Sequence, residues 1–216
     1  ALHWAVRAND VATTQLLIRA GANVKAANRY NATPLWLAAT NGNAALIEML
    51  LKAGADPKAT ISEGETTLMT AARTGNTDAV KVLLAYGADV NAKENWYGQT
   101  ALMWAAIENN AAAAKVLIEG GADLAAKTTP PVGRGGRGGG GDGSKGGFTP
   151  LLFAAREGAV DTGKVLIAAG ADPNLADPDG IPPMIVALLS GHYDFAGMLI
   201  QKGADVNAAD RTGRTP

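Results

Sequence analysis

The chain repeats itself with a period close to 33 residues, and this regularity limits its fold more than any other feature. A first marker, a Thr or Pro that precedes an apolar segment, recurs at intervals of 33, 34, 49, 33 and 33 residues. A second marker, Gly-Ala followed by Asp or Asn, recurs six times, and each of its last five copies lies 21 residues after a first marker. A period of this length is typical of stacked supersecondary units.

The constant 21-residue segment predicts a pair of short helices. In the second unit the hydroxyl of Thr33 can cap a helix that starts at Pro34, because proline loses no hydrogen bond at the first helical position. Gly42 ends this helix after two turns, since glycine tolerates the left-handed conformation. A second helix ends in the aliphatic residues 49–51, just before Gly54. The other dozen residues of a unit are rich in Asn, Asp and Gly, which is typical of a tight turn or hairpin.

One such unit cannot fold alone, because a few large apolar side chains do not offset the entropy of ordering about 33 residues. Aromatic residues are 5% of the chain and charged residues 18%, so Ala, Gly and aliphatic residues must build the core. Pairs of alanines, such as Ala38-Ala39, let the first helices of neighbouring units approach closely. The sequence therefore predicts a solenoid in which each unit is stabilised by its neighbours.

The patterns Thr-Pro-Leu, Ala-Ala and Gly-Ala-Asp on a 33-residue period resemble ankyrin repeats, whose signature includes Thr-Pro-Leu-His-x-Ala. The resemblance covers nearly the whole chain. It implies an all-α fold, an ankyrin-repeat α-solenoid of stacked helix-turn-helix units joined by β-hairpin-like turns. Residues 94–104 look like the hairpins of bacterial ankyrin proteins, some of which are exported. At Pro182-Pro183 the chain departs from Thr-Pro and loses the hydroxyl cap.

We predict one ankyrin-repeat domain over residues 1–216, interrupted by a Gly-rich flexible insertion at 128–147. The array should tolerate this insertion, since the cost of closing a loop grows slowly with its length. Both ends cut through the motif, so we expect more repeats or other domains beside this segment in the parent protein. The predicted units are a partial repeat 1–27, repeats 28–60, 61–93, 94–127, 144–176 and 177–209, and a partial repeat 210–216.

The composition argues against several kinds of function. Nineteen basic and 20 acidic residues give a net charge of -1, so the chain as a whole should not attract nucleic acid. The absence of cysteine removes thiolate and Cys-metal chemistry and leaves the compartment open. Two histidines, His3 and His192, are too few for a His-cluster metal site. We therefore predict no catalytic residue, no metal, no cofactor, no enzyme activity and no membrane insertion.

In the ankyrin family, the concave surface of hairpin tips and inner helices usually binds another protein. The resemblance thus implies a monomeric protein-protein interaction module that holds a partner protein in its groove. The corresponding positions here vary between repeats and include Trp, Tyr and Arg, the residue types that dominate interface energies. The predicted partner-binding residues are Arg29, Tyr30, Glu63, Glu65, Arg73, Trp96, Tyr97, Gln99, Glu108, Phe148, Arg156, Glu157, Asp179 and Ile181.

Three other functions stay open. Arg134 and Arg137 of the Gly-rich insertion could bind RNA or an acidic partner, and RNA binding would weaken steeply with salt. The repeats could instead recruit substrate for a catalytic domain outside this segment. They could also be a structural spacer.

Several conspicuous residues are assigned structural roles. Trp4, Trp36 and Trp104 lie at or beside the start of an inner helix, and we expect them to pack in the core between repeats. His3 occupies the His position of the signature, where the family's imidazole usually bonds to backbone near the turn. We expect no chemistry from any of these four side chains.

Overall fold

The computed structural model describes residues 1–130 and 145–216. Within these two ranges the chain forms twelve α-helices in six pairs and no β-strand, which confirms the all-α prediction. The pairs are α1 (Leu2–Arg7) with α2 (Val11–Arg19), α3 (Pro34–Thr40) with α4 (Ala44–Lys52), α5 (Thr67–Thr74) with α6 (Thr77–Ala85), α7 (Ala101–Ile107) with α8 (Ala111–Glu119), α9 (Pro150–Glu157) with α10 (Val160–Ala168), and α11 (Pro183–Leu189) with α12 (Tyr193–Gln201).

The helices form two layers. The odd-numbered helices pack on one another in chain order and make the inner layer, and the even-numbered helices make the outer layer in the same way. Each pair also packs within itself. Contacts therefore run mainly between neighbouring units, as in a solenoid.

Threonine hydroxyls cap the inner helices as the sequence predicts. Thr33, Thr66, Thr100 and Thr149 each accept a hydrogen bond from the backbone N–H three residues later, at 3.1 to 3.4 Å. Pro182 stands at the equivalent position of α11, and this helix has no side-chain cap. The departure noted in the sequence thus removes one stabilising bond at the start of the last inner helix.

Gly75 shows why glycine ends an inner helix. It caps α5 with a φ of 73°, in the left-handed region. A Cβ on this residue would also lie 2.6 Å from Oδ1 of Asn110, the residue that begins the outer helix of the next unit. Asn110 reaches back and donates hydrogen bonds to the carbonyls of Ala72 and Arg73, so the glycine makes room for a bond between repeats.

The core consists mainly of aliphatic residues and alanines, with a few buried Met and Phe side chains. The alanine pairs of α3, α5, α7 and α9 are fully buried, as expected for closely packed inner helices. The prediction that Trp4 belongs to the core is wrong, because its side chain is 72% exposed. Trp36 and Trp104 are half-buried. His3 bonds to the carbonyl of Ala32 in the next hairpin at 3.1 Å, which confirms its structural role.

The insertion begins and ends in the hairpin between α8 and α9. Two hydrogen bonds join Thr128 and Phe148 at the base of this hairpin. The Thr128 N–H donates to the Phe148 carbonyl at 3.0 Å, and the Phe148 N–H donates to the Thr128 hydroxyl at 2.9 Å. The predicted flexible part, with Arg134 and Arg137, lies in 131–144, outside the described residues. In the part of the chain that is described, no helix is long and apolar enough to cross a membrane.

Candidate functional site

The open side of the inner helices carries an arginine and tryptophan pair from two consecutive repeats. The guanidinium carbon of Arg73 on α5 lies 5.0 Å from the centre of the Trp104 ring on α7. Glu65 holds the same arginine in an ion pair at 3.6 Å. The Thr70 hydroxyl donates to Glu65 at 2.6 Å and fixes this carboxylate. Arg73 is therefore held from both sides and remains partly exposed at the surface.

A second arginine occupies the same register on α9. The guanidinium carbon of Arg156 lies 4.9 Å from the centre of the Phe153 ring and 5.6 Å from that of Phe148. Its Nε donates to Glu157 at 2.9 Å. Phe148 is only 5% exposed, so it lies beneath the surface and supports Arg156. A partner would meet the arginine before the phenylalanine ring.

The hairpin tips are held by acidic or amide side chains that accept backbone N–H groups. Glu94 is the strongest case, since its buried carboxylate accepts from the N–H groups of Trp96, Tyr97 and Gln99 at 2.6 to 2.8 Å. Asn28 does the same with the N–H groups of Tyr30 and Ala32. Asp177 and Asp210 act in this way in the last two tips.

These anchored turns present aromatic side chains to solvent. Tyr30 is 59% exposed and Trp96 is 46% exposed, whereas Tyr97 is half-buried. The guanidinium carbon of Arg29 lies 4.7 Å from the centre of the Tyr30 ring. Large apolar rings held exposed on a fixed backbone are suited to bind another molecule with little loss of entropy.

Neighbouring tips are tied to one another by hydrogen bonds to backbone carbonyls. The donors and acceptors are Ser62 Oγ to Tyr30 O, Asn95 N to Glu63 O, Thr129 N to Tyr97 O and Arg211 N to Asp179 O, at 2.7 to 3.3 Å. Lys145 adds an ion pair with Asp179 at 2.9 Å. The tips therefore form a continuous row, and a bound segment would meet several of them in fixed relative positions.

One carboxyl in this row has a strongly shifted pKa. The hydrogen bond from the Thr212 hydroxyl, with further bonds from Arg214, holds the pKa of Asp210 well below its usual value. Asp210 is buried, so its charge is retained by these donors and not by solvent. The lowered pKa therefore reflects the structural role of Asp210 in this turn.

The structure joins most of the predicted binding residues into small clusters. Glu65 pairs with Arg73, while Phe148 and Glu157 both contact Arg156. Glu94, which was not among the predicted binding residues, gathers Trp96, Tyr97 and Gln99, and Lys145 pairs with Asp179. Glu63 and Glu108 are exposed, and among the described residues neither forms an ion pair. Ile181 is half-buried and packs against the core.

Trp104 was assigned to the core between repeats, and it does pack against the core, but its ring is only half-buried and Arg73 lies over it. It occupies the x position of the Thr-Pro-Leu-His-x-Ala pattern, one residue after Met103. Within the described ranges, no three His, Asp or Glu residues lie together in a way that could hold a metal.

The six stacked helix pairs in the described ranges, with their open inner face, define a helical solenoid of the repeat-protein class. A family model for ankyrin repeats, in three copies, matches residues 1–61, 57–128 and 139–210. The chain therefore belongs to the ankyrin repeat family. No curated protein sequence matches the chain significantly.

Solved ankyrin repeat domains share this fold. The domain of Bcl-3, a unique member of the IκB protein family, is 24% identical with a TM-score of 0.80, covering 100% of this chain and 91% of that one. A domain from Acinetobacter baumannii AYE is 27% identical with a TM-score of 0.77, covering 94% and 98%. The human ASB11 domain is 22% identical with a TM-score of 0.83, covering 100% and 89%.

Proposed function

We propose that the chain binds a segment of a partner protein in the groove between its hairpin tips and inner helices. Ankyrin repeat domains are generally protein-protein interaction modules and are typically non-catalytic. The groove supplies aromatic contacts at the tips and arginines on the floor. The partner would lie across consecutive repeats, because the tips and the floor positions recur from one unit to the next.

The proposal is carried by the exposure of Tyr30 and Trp96 on tips that are fixed by hydrogen bonds. Exposed aromatic side chains cost solubility, and residues of this type dominate binding energies when they become buried in an interface. Both turns are anchored by a side-chain acceptor, Asn28 in one and Glu94 in the other. The backbone that carries the rings is thus ordered before a partner arrives, which reduces the entropy lost on binding.

The chain supplies a matched control for this idea. Tyr86 follows the outer helix α6 and Tyr193 begins the outer helix α12, and both side chains are exposed. The groove variant is Tyr30→Ala with Trp96→Ala, and the control variant is Tyr86→Ala with Tyr193→Ala. Both remove two exposed aromatic rings, but only the first changes the tips.

The test is affinity capture from a lysate of the source organism, with quantitative mass spectrometry. We expect a protein that is retained by the parent chain and by the outer-helix control, and is lost from the groove variant. Equal retention by all three chains would refute groove binding. Loss from the control but not from the groove variant would place binding on the outer layer.

A further inference from the structure

Positive charge is concentrated at the N-terminal end of the array. Residues 1–47 contain four basic side chains and one acidic side chain, a net charge of +3. The remainder of the chain has a net charge of -4. The near-zero charge of the whole chain therefore hides a basic end and an acidic remainder.

Two of these basic residues, Arg7 and Arg29, are exposed arginines that stack on exposed aromatic rings. The guanidinium carbon of Arg7 lies 5.9 Å from the centre of the Trp4 ring, and that of Arg29 lies 4.7 Å from the centre of the Tyr30 ring. A guanidinium held over the face of a ring uses none of its N–H groups in that contact. It can then bind a carboxylate with two parallel hydrogen bonds.

These arginines differ from those in the centre of the groove. Arg73 and Arg156 are already neutralised by Glu65 and Glu157. Across the described residues, no carboxylate lies within 4.0 Å of the guanidinium of Arg7 or of Arg29. Their charge is therefore available to a partner.

The two stacked pairs lie on backbone segments that are bonded together. His3, next to Trp4, contacts the carbonyl of Ala32 at 3.1 Å. Tyr30 is two residues before Ala32, and two residues of extended chain span at most about 7 Å, so Tyr30 lies close to this contact. Trp4 and Arg7 are three residues apart on α1 and share one helix face.

We propose that the part of the groove formed by Trp4, Arg7, Arg29 and Tyr30 binds an acidic peptide segment of the partner. This inference rests on the proposed function and specifies the chemistry of the bound segment. Carboxylates of the segment pair with Arg7 and Arg29, and its apolar side chains cover the two rings. Farther along, the exposed Glu63 and Glu108, which form no ion pair among the described residues, favour neutral or basic residues, which disfavours a uniform polyanion such as RNA.

The test is a selection of random 12-residue peptides displayed on phage against the immobilised 216-residue chain. Binding of the selected peptides is then measured on Arg7→Gln/Arg29→Gln and on Arg19→Gln/Lys25→Gln. Both variants remove two positive charges from the same end, but Arg19 and Lys25 lie on α2 and the turn after it. A labelled single-stranded RNA is measured in parallel, and circular dichroism checks that each variant is folded.

We expect the selected peptides to be enriched in Asp and Glu. Their affinity should fall at least about tenfold on Arg7→Gln/Arg29→Gln and change little on the matched control, since charge-assisted hydrogen bonds are stronger than neutral ones. Arg7→Lys/Arg29→Lys keeps the charge without the planar fork and should show an intermediate loss.

Several results would overturn the inference: no selected peptide, neutral or basic peptides, equal loss on both glutamine variants, or RNA that binds more tightly than the peptides and is lost on Arg7→Gln/Arg29→Gln. Neutral peptides that are lost on Tyr30→Ala/Trp96→Ala would refute the acidic segment while supporting the proposed groove. The two proposals thus fail separately.

Discussion

The guanidinium carbon of Arg73 lies 5.0 Å from the centre of the Trp104 ring, although the two residues belong to consecutive repeats. The ring also packs against the core, so the pair links the packing of α5 and α7 to the surface of the groove. Glu65 completes the arrangement from the start of the same unit as Arg73. A surface contact between repeats thus rests on three side chains.

Trp104→Ala should destabilise the array, because it removes a half-buried ring and the stack with Arg73. We expect the free energy of unfolding to fall by about 2 kcal/mol, less than for a fully buried Trp. Urea denaturation followed by circular dichroism measures this. Trp4→Ala is the matched control, since Trp4 occupies the same register but is exposed, and it should change stability by less than about 0.5 kcal/mol. Similar losses for both variants would contradict the assigned difference in packing.

Glu94→Ala should loosen the tip that carries Trp96. The change leaves three backbone N–H groups without their acceptor, and we expect a loss of about 1 to 3 kcal/mol. Chymotrypsin cleavage after Trp96 or Tyr97 should become faster. Glu63→Ala, at an exposed position of the preceding tip, should leave both stability and cleavage unchanged. Cleavage of Glu94→Ala at the same rate as the parent chain would show that other contacts hold the turn.

The turn at Asp210 should keep its structure to unusually low pH. The folded pKa of Asp210 lies below the unfolded value of about 4, so its stabilisation is fully present above that pH and is lost as the pH falls through the folded pKa. Amide chemical shifts of Thr212 and Arg214 should therefore stay nearly constant from pH 6 to pH 2, because the carboxylate of Asp210 remains charged over that range. Asp210→Asn should shift both amide signals at pH 6, since it removes the charged acceptor. A transition centred near pH 4 in the parent chain would contradict the lowered pKa.

Pro182→Thr should stabilise the last inner helix. Pro182 has φ -75° and ψ 161°, close to the values of -92° and 164° at Thr33, so a threonine fits the backbone there. The new hydroxyl can cap α11, and we expect a gain of about 0.5 to 1 kcal/mol. Thermal denaturation measures whether the midpoint rises. Thr149→Ala removes an existing cap and should lower the stability by a similar amount. A lower midpoint for Pro182→Thr would mean that the ring of Pro182 contributes more through packing than a cap provides.

Replacing residues 131–144 by a short Asn-Gly turn should leave the array folded. The pair of Thr128 and Phe148 already closes the base of the hairpin, and loop-closure scaling predicts a gain below about 1 kcal/mol. The thermal midpoint and the circular dichroism spectrum report the outcome. A marked loss of helical signal would show that repeats 94–127 and 144–176 depend on the insertion for stacking.

The period, the caps and the buried face of each helix could be predicted because they depend on local sequence. A threonine hydroxyl reaches an N–H three residues away whatever surrounds it, and the alanine pairs recur at fixed positions in the unit. His3 was likewise placed correctly, as a bond to the neighbouring hairpin. The division of the chain into numbered repeats remains a prediction.

Burial of the surface aromatics required the tertiary structure. The sequences Leu2-His3-Trp4-Ala5 and Leu102-Met103-Trp104-Ala105 are nearly alike, yet Trp4 is exposed and Trp104 is half-buried. Local sequence fixes the helix face on which a side chain lies, and this face is the same in both. Whether the side chain is then covered depends on the neighbouring unit, which places Arg73 over Trp104. The sequence therefore determined the repeating frame, and only the stacking of the units decided how far an aromatic ring such as that of Trp104 is covered.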